Sequence, residues 1–302
     1  MKWILFIALV SSCASSVQTQ AKKVITEIKK VSVYNGKIKY IKFKLLDSEI
    51  SLNDNIVKCV EQGSKEPLIK KMPFQKEGRF GHLYYAESYH SKANRHECFI
   101  EDRKIIDVTV KKFPYKEEFL KVTKGKVVLN KKNQARAAKE WHMTQKIYKN
   151  SAKTSFIEGP YKVPLNSYIT SHYGNRRVFN NLKKTQHLGN DFRARVGVPI
   201  SSSNRGKVVY AGNLFYTGDV VIVDHGLGLF SLYAHLSKIK VKVGHIVHTG
   251  EIVGLSGRTG RVSGPHLHWG IKNHGFNIDG FSLVEESKQH FSGKNEFQSE
   301  VR

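Results

Sequence analysis

Outside its first ~20 residues and one interior window, the chain alternates apolar and polar side chains in short runs broken by glycine. That pattern admits strands and little else, because alternate residues of a strand share a face. Val31 and Val33, then Ile38, Tyr40 and Phe43, follow it between Lys22 and about Lys121. Asn35-Gly36 lies between these two runs and predicts a two-residue hairpin. Runs at Ile56–Val60, Gly81–Ala86, Cys98–Ile100 and Ile105–Val110 complete the spacing of a β-sandwich. Between Asn130 and Asn150 the period changes. Ala137, Trp141, Thr144 and Tyr148 recur at helical spacing, Arg136 and Glu140 form an i,i+4 pair, and Asn130 is a candidate N-cap. Trp141 is expected to pack against a neighbouring domain. From Ser155 to His290 the chain is again strand and turn, richer in glycine, with no long helical periodicity. The fold class is therefore mainly β, with one connecting helix.

The N-terminus narrows the setting. Lys2, the apolar run Trp3–Val10 and the small residues Ser11–Ser16 have the order of a secretory signal. The run is far shorter than the ~20 residues of a membrane span. Ordinary cleavage between Ala14 and Ala21 is favoured; the alternative is a lipobox at Val10–Cys13, with Cys13 as a lipid anchor. The chain is thus expected to be exported, to the periplasm, envelope or exterior, with no transmembrane span. Removing the leader leaves Cys59 and Cys98, an even pair that suggests a structural disulfide joining the two sheets. Fifty basic against 25 acidic residues give a net charge of +25. That charge attracts anionic partners such as envelope polymers. No nucleic-acid motif is present, so specific nucleic-acid binding is not expected.

The chemistry lies in two distant segments. In Pro265-His266-Leu267-His268-Trp269, strand geometry projects His266 and His268 from one face. His187-Leu188-Gly189-Asn190-Asp191 offers a second imidazole and a carboxylate. Either motif alone is a weak signal. Together, two His and one Asp make a catalytic zinc set that leaves the fourth tetrahedral position to water. Zinc lowers the pKa of bound water from ~15.7 toward ~7. No His-Glu-x-x-His helix supplies a base, so His266 and His235 are the candidates for proton transfer.

From about Ser171 to Gly280 the chain closely resembles the lysostaphin/LytM-type zinc metallopeptidases. The matching pieces include Ser171-His172-Tyr173-Gly174-Asn175-Arg176, His187-x-Gly189-x-Asp191, Tyr233-Ala234-His235-Leu236-Ser237 and Ser256-Gly257-x-Thr259-Gly260-x-x-x-Gly264-Pro265-His266-Leu267-His268. The resemblance implies an antiparallel β peptidase domain and one Zn2+ per chain held by His187, Asp191 and His268. It also implies catalytic His235 and His266, and peptidoglycan peptides as substrate. Tyr173 and Arg176 are candidate substrate-binding residues. Asp279-Gly280 departs from the family's Asp-Pro, at a turn expected to lie beyond the site. Phe119-Leu120-Lys121-Val122 and Arg136-x-x-x-Glu140 resemble, more distantly, the Ig-like domain of exported wall peptidases. The expected organisation is a signal peptide at 1–21, an Ig-like sandwich at 22–125, a helical linker at 126–154, the peptidase domain at 155–290 and a tail at 291–302. The competing readings are a wall-binding or activator protein lacking metal ligands, which the complete ligand set opposes, and a nucleic-acid binder, which the export signal opposes.

Overall fold

The computed structural model describes residues 27–50, 54–120, 130–179 and 183–292; the signal segment, Cys13, Lys121-Val122 and the end of the tail lie outside them. The N-terminal part supplies β1 (Lys29–Tyr34), β2 (Ile38–Lys44), α1 (Asp47–Ile50), β3 (Ile56–Glu61), β4 (Ile69–Pro73), β5 (Gln75–Glu77), β6 (Phe80–Ala86), β7 (Asn94–Ile100), β8 (Arg103–Lys111) and β9 (Glu117–Leu120). Two sheets, ordered β1-β8-β7-β3-β4 and β2-β6-β5, face each other. Between them lies a core that includes Ile41, Phe43, Phe74, Tyr85, Ile106 and Val108. The sandwich architecture follows from the alternation that the sequence carries.

Two details differ from expectation. Asn35-Gly36 does not close a hairpin: β1 pairs with β8 and β2 with β6, in different sheets. The Lys37 amide does donate to the Tyr34 carbonyl across a tight turn, but only Gly36 has a positive φ, of 75°. A type I′ hairpin turn needs positive φ at both central residues. With one, the turn is type II and does not match strand twist, so the chain crosses to the other sheet. The Cys59–Cys98 disulfide is formed, but within one sheet. The two residues are directly opposed on β3 and β7, with Cα atoms 4.0 Å apart.

Helix α2 (Lys131–Lys149) begins at Asn130, whose side chain accepts from the Asn133 amide at 2.9 Å. Arg136 and Glu140 pair at 2.7 Å, and Glu140 also accepts from the Phe215 amide at 2.7 Å. Trp141, however, is 58% exposed. The helix seats on the following sheet through Tyr148 and Met143.

The C-terminal part supplies β10 (Ile169–Ser171), β11 (Arg176–Phe179), β12 (Lys183–Gln186), β13 (Asn190–Arg193), β14 (Pro199–Ser201), β15 (Gly206–Leu214), β16 (Gly218–Asp224), β17 (Leu229–Ile239), β18 (Ile246–Val247), β19 (Ile252–Ser256), β20 (His266–Asn273) and β21 (Phe276–Ile278). Its main sheet has the order β10-β13-β20-β17-β16-β15-β18, with antiparallel pairing throughout. One face is sealed by a core around Phe192, Tyr233, Leu267 and Trp269. The opposite face carries Phe230, Leu232 and Ala234, partly covered by α2.

A helix the strand-like reading missed, α3 (Gly280–Ser292), ends the described chain. Asp279 caps it by accepting from the Phe281 amide at 3.2 Å. The helix lies on the outer side of β2: Glu286 takes hydrogen bonds from Lys39 and the Tyr40 amide, and His290 stacks on Tyr40 with ring centroids 4.7 Å apart. Ile38 and Ala86 of the sandwich enter the same core as Trp269. The two halves therefore pack as one body, tied further by an ion pair between Lys37 and Asp279. Among the described residues no helix is long and apolar enough to cross a membrane.

Candidate metal centre

β13 and β20 pair antiparallel with Asp191 directly opposite His268. Along β20, Leu267, Trp269 and Ile271 face the core and are at most 1% exposed, while His266 and His268 project from the other face. His187 reaches the same spot from the turn before β13. His187 Nε2 lies 2.9 Å from Asp191 Oδ1 and 3.2 Å from His268 Nδ1, and His268 Nδ1 lies 2.7 Å from Asp191 Oδ1. A triangle with those edges has points about 2.1 Å from all three corners, the length of a zinc–nitrogen or zinc–carboxylate bond. Among the described residues this is the cluster of His and Asp able to hold a metal ion. The donor set, two imidazoles and one carboxylate without sulfur, fits a zinc site with an open coordination position.

The surroundings hold each donor in the required state. His187 Nδ1 lies 3.0 Å from the His172 carbonyl, an acceptor only, so Nδ1 carries the hydrogen and Nε2 presents its lone pair. The Ser171 hydroxyl is 3.2 Å from the same nitrogen. Burial works to raise the Asp191 carboxyl, but hydrogen bonds and charge from His187 and His268 outweigh it and hold it well below the usual carboxylate range. Asn190 anchors the strand: its side chain accepts from the Tyr173 amide at 3.0 Å and donates to Asp279 at 3.2 Å. Asp279 thus supports the metal strand, caps α3 and meets Lys37, so this turn is closer to the site than its sequence position suggested.

His235 and His266 stand beside the triangle. Their ring centroids are 4.7 Å apart, and His235 is 5.9 Å from His268. His235 Nδ1 is 2.9 Å from the Thr259 carbonyl and His266 Nδ1 is 2.9 Å from the Gly264 carbonyl. Both rings therefore have Nε2 as the nitrogen without hydrogen. His266 Nε2 is 3.7 Å from Asp191 Oδ1. His235 has φ of 62°, where β17 departs from regular pairing. Such backbone strain in a non-glycine residue is concentrated at functional sites. Burial first, then the neighbouring His268 and His266, pushes His235 down to about 3 in the metal-free chain.

The two candidate substrate residues separate. Tyr173 is only 3% exposed and its hydroxyl donates to the Asn277 carbonyl at 2.7 Å. It packs between the two halves, where Tyr115 covers it. Arg176 is exposed and lines a cleft between the halves with Tyr89 and Tyr115. Strand β9 pairs in parallel with β11 along that cleft. The sequence reading missed the supports Ser171, Asn190 and Asp279. The same strand face continues from His266 and His268 through Gly270 to Lys272.

A β sheet that brings two imidazoles, one carboxylate and two further histidines together defines a metallohydrolase centre. Residues 185–280 match peptidase family M23, and the chain carries a domain of that family. It is 44% identical over 102 residues to the peptidoglycan DD-endopeptidase ShyA of Vibrio cholerae, covering 33% of this chain and 24% of ShyA. It is 33% identical over 136 residues to lysostaphin of Staphylococcus simulans, covering 44% of this chain and 24% of lysostaphin. The matches thus span about a quarter of these relatives' length. The crystal structure of a peptidase M23 protein from Pseudomonas aeruginosa shares the fold, with a TM-score of 0.56 and 23% identity, covering 84% of this chain and 95% of that one.

Proposed function

We propose that the protein is an exported zinc-dependent endopeptidase that hydrolyses peptide cross-links of peptidoglycan, with one zinc per chain. The observation that carries this reading is the His187–Asp191–His268 triangle flanked by the Nε2 atoms of His235 and His266. Its similarity to enzymes named as peptidoglycan endopeptidases supports the substrate class. Zinc, when bound, supplies Lewis acidity toward a scissile carbonyl and lowers the pKa of water.

His187, Asp191 and His268 hold the ion. His266 Nε2, whose Nδ1 is already committed to the Gly264 carbonyl, takes a proton from the attacking water and returns it to the leaving amine. His235 Nε2, likewise without hydrogen, lies across from it and orients the attacking water as an acceptor. The strained backbone at His235 and the Thr259 carbonyl fix that ring without help from substrate. The basic chain concentrates on an anionic wall. The leader at 1–21 supports export, with Cys13 the alternative lipid anchor. An Ig-like identity for the sandwich would make it a spacer or wall-facing module.

The test is mass spectrometry of fragments released from purified sacculi. The zinc-loaded chain is expected to release monomeric stems from cross-linked ones. His266→Ala is expected to keep its zinc and lose this release; full activity in that variant would refute the assigned role.

A further inference from the structure

The site face of β20 continues past the metal triangle. His266, His268, Gly270 and Lys272 occupy alternate positions on it, and Ala234, Leu232 and Phe230 of β17 pair with the last three. Gly270 has no side chain, and beside it a cavity of about 190 Å³ opens between the sheet and Tyr148 of α2. His268 lies at one part of its lining and Lys272 at another. At ~3.3 Å per residue, four residues of strand separate their Cα atoms by about 13 Å.

Lys272 is the one Lys, Arg, Asp or Glu in this lining. Its ammonium donates to the Gly275 carbonyl at 3.1 Å and sits 4.9 Å from the Tyr148 ring, and it makes no ion pair among the described residues. Burial lowers its pKa to about 8. An ammonium beside an apolar wall gains most from a carboxylate. An ordinary surface lysine would instead point its charge into water.

We propose that this cavity is a substrate subsite that binds a free carboxylate carried by the peptide, through the Lys272 ammonium. The proposal rests on the peptidase reading and adds to it. A peptide lying along β20 with its scissile carbonyl at the metal places a carboxylate-bearing residue over Gly270, toward Lys272. Amidation of that carboxylate removes both the charge and one acceptor. The enzyme therefore discriminates stem peptides with a free side-chain carboxylate at that position from the same peptides carrying the carboxamide.

The experiment is calorimetric titration of the zinc-loaded full chain with two uncross-linked stem tetrapeptides that differ at one side chain, a free carboxylate in one and its carboxamide in the other. The acid is expected to bind roughly 10-fold tighter, in the range of one charge-assisted hydrogen bond. Lys272→Met is expected to erase that preference with zinc content unchanged, and Lys272→Arg to keep most of it. Equal affinities for the two peptides in the wild type, binding of neither, or an unchanged preference in Lys272→Met would overturn the proposal. Failure to cleave cross-linked dimers with the preference intact would fault the hydrolase reading and leave the carboxylate site standing.

Discussion

Gly189, between the two metal-binding positions of its motif, gives a test that isolates packing against a ligand. Its backbone lies outside the left-handed region, so alanine fits the main chain there. Space is what forbids it. A Cβ at residue 189 would lie 2.5 Å from His268 Cε1, 2.6 Å from its Nε2 and 2.8 Å from the Trp269 carbonyl oxygen. Normal carbon contacts are ~3.5–4.0 Å, so the shortfall is about 1 Å. Trp269 cannot yield, because it is fully buried and its strand is paired on both sides. The imidazole of His268 must therefore move by about 1 Å, whereas metal–ligand distances tolerate about 0.2 Å. Gly189→Ala is expected to lower zinc affinity at least 10- to 100-fold, the range seen when the support of a metal ligand is disturbed. It should also cost the metal-free fold about 1–3 kcal/mol by overpacking. Competition against a fluorescent zinc chelator measures the first effect and thermal unfolding of the metal-free chain the second. Zinc affinity within error of the wild type would refute the reasoning, since His268 would then have room that the geometry denies it.

Three further outcomes follow from the same structure. His225 is fully buried between the Arg205 carbonyl and the Ser231 hydroxyl, and burial pushes it from 6.5 down to about 4. The unfolded chain therefore binds the proton first: stability is full above about pH 6.5 and falls by up to about 3 kcal/mol as pH drops toward 4, at ~1.4 kcal/mol per unit. His225→Gln should flatten that part of the denaturation profile. Replacing both Cys59 and Cys98, 39 residues apart, with alanine is expected to cost about 4 kcal/mol by loop entropy, read as a lower urea midpoint with metal binding intact. Asp279→Ala removes the helix cap and the partners of Lys37 and Asn190 together; it should lower stability by ~2 kcal/mol or more and weaken zinc binding, whereas Glu285→Ala on the exposed side of α3 should do neither.

Much of the site was legible in the sequence because strand alternation is a local rule. It put His266 and His268 on one face and Leu267 on the other before any coordinates were needed. The meeting of His187 and Asp191 with His268 depends on a register between β13 and β20 that local pattern does not encode; the resemblance supplied it. What stayed hidden depends on long-range packing. Asn35-Gly36 has the composition of a hairpin turn, but the pairing of β1 with β8, far along the chain, overrides it. Gly280–Ser292 opens with Gly280 and, like the strands around it, carries no long apolar stripe; its helical form is completed by the Asp279 cap and by docking on β2. Tyr173 looked available because its motif is polar and turn-like, yet the sandwich covers it. Trp141 looked like a packing residue and shares a helix face with Tyr148, two turns on, yet only Tyr148 is buried on the sheet.

In the proposed centre His187, Asp191 and His268 close around one ion and leave a coordination position to water. X-ray absorption at the zinc edge, on protein loaded to equivalence, tests it most directly. The expected spectrum shows one zinc per chain with about four nitrogen or oxygen neighbours at ~2.0–2.2 Å and no sulfur, and His268→Ala is expected to lose the ion. A chain that retains no zinc, or one whose zinc neighbours are unchanged by His268→Ala, would contradict the account.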